Sequence, residues 1–281
     1  MAETFRASDG YPCSVVRWPA LGTAKADVVF LNGIRSHAGW YGRSCAAIAG
    51  AGYDVHFLER RGTGASEVAR GDAPYFRRLL DDVGEYLRAI RTANRPILLA
   101  GISWGGKLAA AVPYRWPGTV DGVALLCPGL KPRVRPRFLE QVRMGFSRFL
   151  APSRMFPIPL NEPELFTASP EWRRFIAEDE RGQREASARF FAASFRLDIY
   201  LRRAVKQLDM PVLLMLGGRD RIIDSARTKA FLAHAAPTIR EYAGSEHTLE
   251  FEPAGHPFIA DFIAWADASL KVAGAAARPP R

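Results

Sequence analysis

Pro96-Ile97-Leu98-Leu99-Ala100-Gly101-Ile102-Ser103-Trp104-Gly105-Gly106 decides the fold, because an apolar run ends there in a turn of small residues with a serine at its centre. The run predicts a buried strand. Gly101 and Gly105 remove the side chains that would collide if the chain reversed at once into a helix. Ser103 is then left at the tip of a nucleophile elbow, where its hydroxyl meets substrate. The next amide, that of Trp104, points at the oxygen of any carbonyl the serine attacks.

On both sides of this turn, short apolar strands alternate with helical segments. Asp27 to Leu31, Val55 to Leu58, Ile97 to Ala100, Val123 to Leu126, Val212 to Leu216 and Ile239 to Tyr242 read as strands. A hairpin over Thr4 to Arg17, turning at Asp9-Gly10, precedes them. Such alternation predicts an α/β fold with a mostly parallel central sheet covered by helices on both faces. From Tyr75 to Ala93 the residues Phe76, Leu79, Leu80, Val83, Leu87 and Ile90 recur at three- and four-residue steps, so this helix lays one apolar stripe on the sheet.

The alternation stops between Pro128 and Arg203. This span is rich in arginine, phenylalanine and proline, with helical pieces at Phe138 to Leu150, Glu171 to Ile176 and Glu185 to Leu201 and no convincing strand. The chain therefore divides into a core of residues 1–127 and 204–281 and an inserted helical cap, or lid, over 128–203. The tail from Ala273 to Arg281 is small and proline-containing, and is expected to be mobile.

With 281 residues, 48% hydrophobic and 24% charged, the chain has the composition of an ordinary globular protein. Its start carries no charged-then-apolar signal pattern, and no stretch approaches the roughly 18 consecutive apolar residues of a membrane span, so a cytoplasmic location is expected. Cys13, Cys45 and Cys127 are odd in number and widely spaced, which predicts free thiols rather than disulfides or a zinc site. No metal or organic cofactor is implied, and no pattern sets an oligomeric state.

The formal charge of +10 is concentrated locally. Lys131, Arg133, Arg135, Arg137, Arg143, Arg148 and Arg154 face the single acid Glu140 in that segment. A solvated helix face, an acidic substrate and peripheral contact with anionic lipid all fit this basic cap. Nucleic acid does not, because no recognised binding motif accompanies the charge.

A serine elbow of this kind needs an acid and then a histidine, each from a loop after a later strand. Asp220 follows Val212 to Leu216 across Gly217-Gly218, with Asp224 as its competitor four residues on. Among the histidines, His56 lies inside a strand, His234 in the helical Thr228 to Ala235 segment, and His256 ahead of the last helix. His247, just past the final strand, is the expected base. It would take the serine proton and return it to the leaving group, while Asp220 holds the imidazole in the right tautomer. Leu31-Asn32-Gly33-Ile34 follows a strand directly, and the Ile34 amide is the expected second oxyanion donor beside that of Trp104.

These residues resemble the α/β-hydrolase superfamily, and within it the monoacylglycerol lipase and lysophospholipase group of serine hydrolases. Asn32-Gly33-Ile34-Arg35-Ser36-His37-Ala38-Gly39-Trp40-Tyr41 is similar to that group's His-Gly loop with its second histidine, and Glu59-Arg60-Arg61-Gly62-Thr63-Gly64-Ala65-Ser66 to its Asp-x-x-Gly-x-Gly-x-Ser loop. Asn32 stands where the group usually has histidine, Glu59 where it has aspartate, and Trp104 where methionine is common. The resemblance implies hydrolysis of a single-chain acyl glycerol or lysophospholipid through an acyl-enzyme.

A thioesterase, a peptidase or a small-ester carboxylesterase would use the same residues, and a catalytically silent binding protein would share the fold. A haloalkane dehalogenase needs an aspartate where this chain has Ser103. Phe138, Phe146, Phe149 and Met155 are read either as an apolar wall for the acyl chain or as packing within the cap.

Overall fold

In the computed structural model, which describes residues 2–92 and 95–276, β1 (Ala2–Arg6) and β2 (Pro12–Trp18) form the opening antiparallel hairpin. The chain then alternates as expected. β3 (Asp27–Leu31), α1 (Gly42–Gly50), β4 (Asp54–Leu58), α2 (Phe76–Ile90), β5 (Ile97–Ile102), α3 (Gly105–Arg115) and β6 (Gly122–Leu126) follow in order. Residues 128–203 carry α4 (Phe138–Leu150), β7 (Met155–Pro157), α5 (Pro170–Glu178), β8 (Glu185–Ser187) and most of α6 (Ala188–Ala204). β9 (Val212–Gly217), α7 (Ser225–Leu232), β10 (Thr238–Tyr242) and α8 (Phe258–Ala276) complete the chain.

The main sheet has eight strands in the order β1-β2-β4-β3-β5-β6-β9-β10, parallel from β4 to β10. β3, β5, β6 and β9 are buried along their whole length, which is why their sequences are continuous apolar runs rather than alternating ones. Leu79, Leu80, Val83 and Leu87 of α2 are buried, as the stripe predicts. Every loop that follows a parallel strand leaves from the same edge, so the chain after Leu31, Ile102, Gly217 and Tyr242 converges on one end of the sheet.

Three expectations need correction. The 128–203 span does contain strands: β7 pairs antiparallel with β8, and Glu185 to Ser187 lie in this ladder rather than in the helix that follows. Phe138, Phe146 and Phe149 are not among the residues lining the cavity over Ser103, nor are they buried within the cap. They are 77%, 68% and 72% exposed on the outer face of α4. Finally, α8 extends through Ala276, past the predicted start of a mobile tail; residues 277–281 lie outside the described residues, as does Ala93 at the end of the predicted second helix.

Candidate active site

Ser103 sits between β5 and α3 with φ of +49°, a left-handed conformation that costs a non-glycine residue about 1–3 kcal/mol. Three backbone hydrogen bonds hold it there. Its amide donates to Leu126 O at 2.9 Å, and its carbonyl accepts from the amides of Gly106 and Gly129 at 2.9 and 2.6 Å. The crossing is tight: a Cβ on Gly101 would lie 2.6 Å from both Ala109 Cβ and Gly105 O.

The strand ends bring Asp220 and His247 to this serine. His247 Nε2 lies 2.9 Å from Ser103 Oγ, and His247 Nδ1 lies 2.7 Å from Asp220 Oδ2. The other Asp220 oxygen accepts from the Ile222 and Ile223 amides at 2.8 and 2.9 Å. Burial raises the Asp220 pKa, but the His247 ring and these two amides outweigh it and hold the carboxyl below its ordinary value. An ionised Asp220 accepts a hydrogen bond from the His247 Nδ1–H and so fixes that tautomer, leaving Nε2 free to accept the Ser103 hydroxyl proton. Asp224 stands elsewhere: its side chain accepts from the Arg227 amide at 3.0 Å and caps α7.

The loop after β3 passes close beside the serine, where a Cβ on Gly33 would be 3.3 Å from Ser103 Cβ. Gly33 N donates to Ser36 Oγ at 3.0 Å, whereas the Ile34 and Trp104 amides have no partner among the described residues. Asn32 and Glu59 brace this loop. Asn32 Nδ2 donates to Ser36 O at 2.7 Å while its Oδ1 accepts from Arg60 N at 2.8 Å, and Glu59 accepts from the Ala38 and Ala65 amides at 2.9 and 2.8 Å.

Two residues here carry no sequence signal. Arg60 is buried with its guanidinium between the rings of Trp104 and Phe190, 4.9 and 4.8 Å from their centroids, and it donates to Ile34 O at 3.2 Å. It has no carboxylate partner among the described residues, and burial lowers its pKa. A guanidinium nevertheless stays charged at neutral pH. Asp179, just past α5, accepts from Trp40 Nε1 at 2.7 Å and from His37 Nε2 at 3.1 Å. His37 Nδ1 accepts the Gly39 amide at 3.0 Å, so Nε2 carries the proton in this contact. Both pairings join segments too far apart in the chain for spacing to reveal.

A cavity of about 700 Å³ opens on Ser103, Ile34 and Trp104, within the range of small-molecule sites. Met144, Phe191, Phe195 and Ile199 of α4 and α6 supply apolar walls. Lys107, Lys131, Arg135, Arg148, Arg202 and Arg227 line it against one carboxylate, Asp198, which is already paired with Lys107 at 2.7 Å. Two donor clusters, the buried Cys127-Asp220-His247 and the largely buried Asp27-Asp54-His56, have metal-like spacing. Both His247 nitrogens are engaged as described, and Arg95 bonds Asp27 twice at 2.7 Å and Asp54 at 3.0 Å, placing a cation among those acids already.

A mostly parallel sheet with a serine on a left-handed strand-to-helix turn, and a histidine and acid from later strand ends, defines an α/β-hydrolase. Residues 22–254 match the family described as serine aminopeptidase, S33, and the chain belongs to that family. It is 25% identical to the phospholipase YtpA of Bacillus subtilis over 243 residues, covering 82% of this chain and 93% of that one. The monoglyceride lipase of Mus musculus is 24% identical over 278 residues, covering 93% and 89%. The solved monoacylglycerol lipase of Paleococcus ferrophilus superposes with a TM-score of 0.82 at 21% identity, covering 92% of this chain and 99% of its own.

Proposed function

We propose that this chain hydrolyses carboxylic esters of single acyl chains through an acyl-serine intermediate. The observation that carries this reading is the unbroken relay from Asp220 Oδ2 through His247 to Ser103 Oγ beside two unpartnered amides. Ser103 Oγ attacks the ester carbonyl as His247 Nε2 takes its proton, and the carbonyl oxygen becomes an oxyanion facing the Ile34 and Trp104 N–H groups. Collapse expels the alcohol with the proton from His247. Water then attacks the acyl-Ser103 ester by the same route, releasing the acid and restoring the serine.

The segment 128–203 serves as a lid, since α4 and α6 wall the cavity over Ser103. The named relatives act on lipids, and the apolar walls suit an acyl chain. No helix among the described residues is long and apolar enough to cross a membrane, so contact with lipid would be peripheral, through the exposed apolar face and arginines of α4.

The family's description raises an aminopeptidase reading. Such an enzyme must hold a free α-ammonium, and six cations against one paired carboxylate disfavour that charge. A hydrolysis screen over acyl glycerols, lysophospholipids, acyl thioesters, short p-nitrophenyl esters and aminoacyl anilides tests the assignment. Turnover of acyl esters and fluorophosphonate labelling of Ser103 are expected; turnover of anilides alone would overturn it.

A further inference from the structure

Four of the cations in the cavity form one group. Lys131 and Arg135 lie in the segment after β6, Arg202 on α6 and Arg227 on α7, and all four line the space that opens on Ser103. None is paired with a carboxylate among the described residues. Asp198, the one acid among the lining residues, is paired with Lys107 at 2.7 Å, though its charge also reaches Lys131, and Asp224 spends its carboxylate capping α7. Lys131 feels the charge of all three arginines, and burial together with them lowers its pKa.

Of the four, Lys131 is partly buried and its segment is fixed by backbone, whereas Arg135, Arg202 and Arg227 reach the cavity as exposed side chains. Asp224 N donates to Lys131 O at 2.9 Å and Arg133 N to Ile222 O at 2.8 Å, which fastens this segment along the loop that carries Asp220. The Lys131 Nζ rests 3.6 Å from the centroid of the Phe231 ring, so the ammonium is oriented by an aromatic face. Lys131 is also near the reacting centre. Gly129 donates to the Ser103 carbonyl, and two residues of chain from Gly129 span at most about 7 Å.

Unpaired like charges gathered in a partly enclosed, largely apolar cavity repel one another, and an anion there relieves the repulsion. We infer that Lys131, Arg135, Arg202 and Arg227 form a recognition wall for an anionic group, a phosphate or a carboxylate, carried on the ester substrate itself within a few bonds of the scissile carbonyl. This inference rests on the ester-hydrolase reading and narrows its substrate to an ester with both an apolar chain and an anion.

The test uses water-soluble substrates below their micelle concentrations, so that no lipid surface contributes. One arm compares 1-octanoylglycerol with the same compound phosphorylated on its glycerol; the other compares p-nitrophenyl hexanoate with the p-nitrophenyl half-ester of adipic acid. We expect the anionic member of at least one pair to have a kcat/KM about tenfold or more higher, the size of a charge-assisted contact. The arm that responds tells whether the anion sits on the alcohol or the acyl side. Arg202→Glu and Arg227→Glu should each cut that ratio about tenfold, whereas Arg6→Glu, an equal charge change on β1, should leave it in place.

Equal kcat/KM within both pairs, a ratio indifferent to the wall variants, or a preference seen only with anionic vesicles would overturn the inference. Calorimetry with octyl phosphate on the intact chain keeps the question open to refutation even without turnover. Binding weakened about tenfold by Arg202→Glu supports the wall, and binding no tighter than that of octyl glucoside removes it. Loss of all ester turnover with no labelling of Ser103 would instead defeat the hydrolase reading, which separates the two failures.

Discussion

At the scale of single residues, the decisive contrast is between two aspartates four positions apart. Asp220 meets His247, while Asp224 caps α7, so Asp220→Asn should cut kcat severely and Asp224→Asn should be mild, because asparagine caps nearly as well. Measured kcat values in the opposite order would reassign the acid. Ser103→Ala should lower turnover by a factor on the order of 10⁶ if serine and histidine act as a unit. The Arg60 guanidinium bonds the carbonyl of Ile34, whose own amide is the proposed second oxyanion donor, so on that reading Arg60 acts as a positioning residue. Arg60→Gln should lower kcat about tenfold with little change in KM, less than the loss of a whole oxyanion donor, and Arg60→Lys should recover part of it. An unchanged kcat in a folded variant would remove that role. That Ser103, Asp220 and His247 would meet was legible, because strand ends and chain order constrain them. Arg60 was not, since nothing in the sequence says that a charge will lie between Trp104 on one element and Phe190 on another.

At the scale of elements, periodicity located helices well and their surroundings poorly. α4 was read with its observed bounds, yet its stripe of Phe138, Val142, Phe146 and Phe149 faces outward, because a 3.6-residue repeat says which residues share a face and not what covers it. With Arg143 beside this face, Phe146→Glu together with Leu150→Glu should reduce co-sedimentation with anionic vesicles about tenfold or more; undiminished sedimentation would exclude α4 as the lipid contact. The short β7–β8 ladder escaped notice because three-residue strands leave too little pattern. The join between α5 and the loop after β3 rests on Asp179. Burial raises its carboxyl pKa, but hydrogen bonds from His37 and Trp40 outweigh that and hold it at about 2. A depressed carboxylate stabilises the fold above its unfolded pKa of about 3.9, and that contribution drains away as pH falls toward 2. Between pH 5 and 2 the melting temperature of the native chain should therefore fall more steeply than that of Asp179→Asn, which should already be less stable at pH 6. Parallel curves would show that the contact contributes nothing to acid sensitivity.

At the scale of the whole molecule, the sheet delivers two kinds of nucleophile to very different environments. Ser103 is raised above the sheet edge on a turn that exposes it to the cavity, whereas Cys13, Cys45 and Cys127 are all buried. Burial pushes the Cys13 thiol up to about 12 and those of Cys45 and Cys127 well above their ordinary value, with the nearby Asp220 charge adding to the shift at Cys127. Thiolate rather than thiol reacts with alkylating agents, so at pH 8 each cysteine is both protonated and shielded. The sequence showed three unpaired cysteines, but their reactivity depends on burial that spacing alone does not determine. Iodoacetamide should therefore leave the native chain unmodified by mass spectrometry and its ester hydrolysis intact, while unfolding in urea should expose three reactive thiols. A fluorophosphonate should do the reverse, marking the native chain at Ser103 and failing after unfolding, because the relay through His247 and Asp220 exists only in the folded sheet. Inactivation by iodoacetamide at one equivalent would move the chemistry to a thiol, with Cys127 beside Asp220 the first suspect.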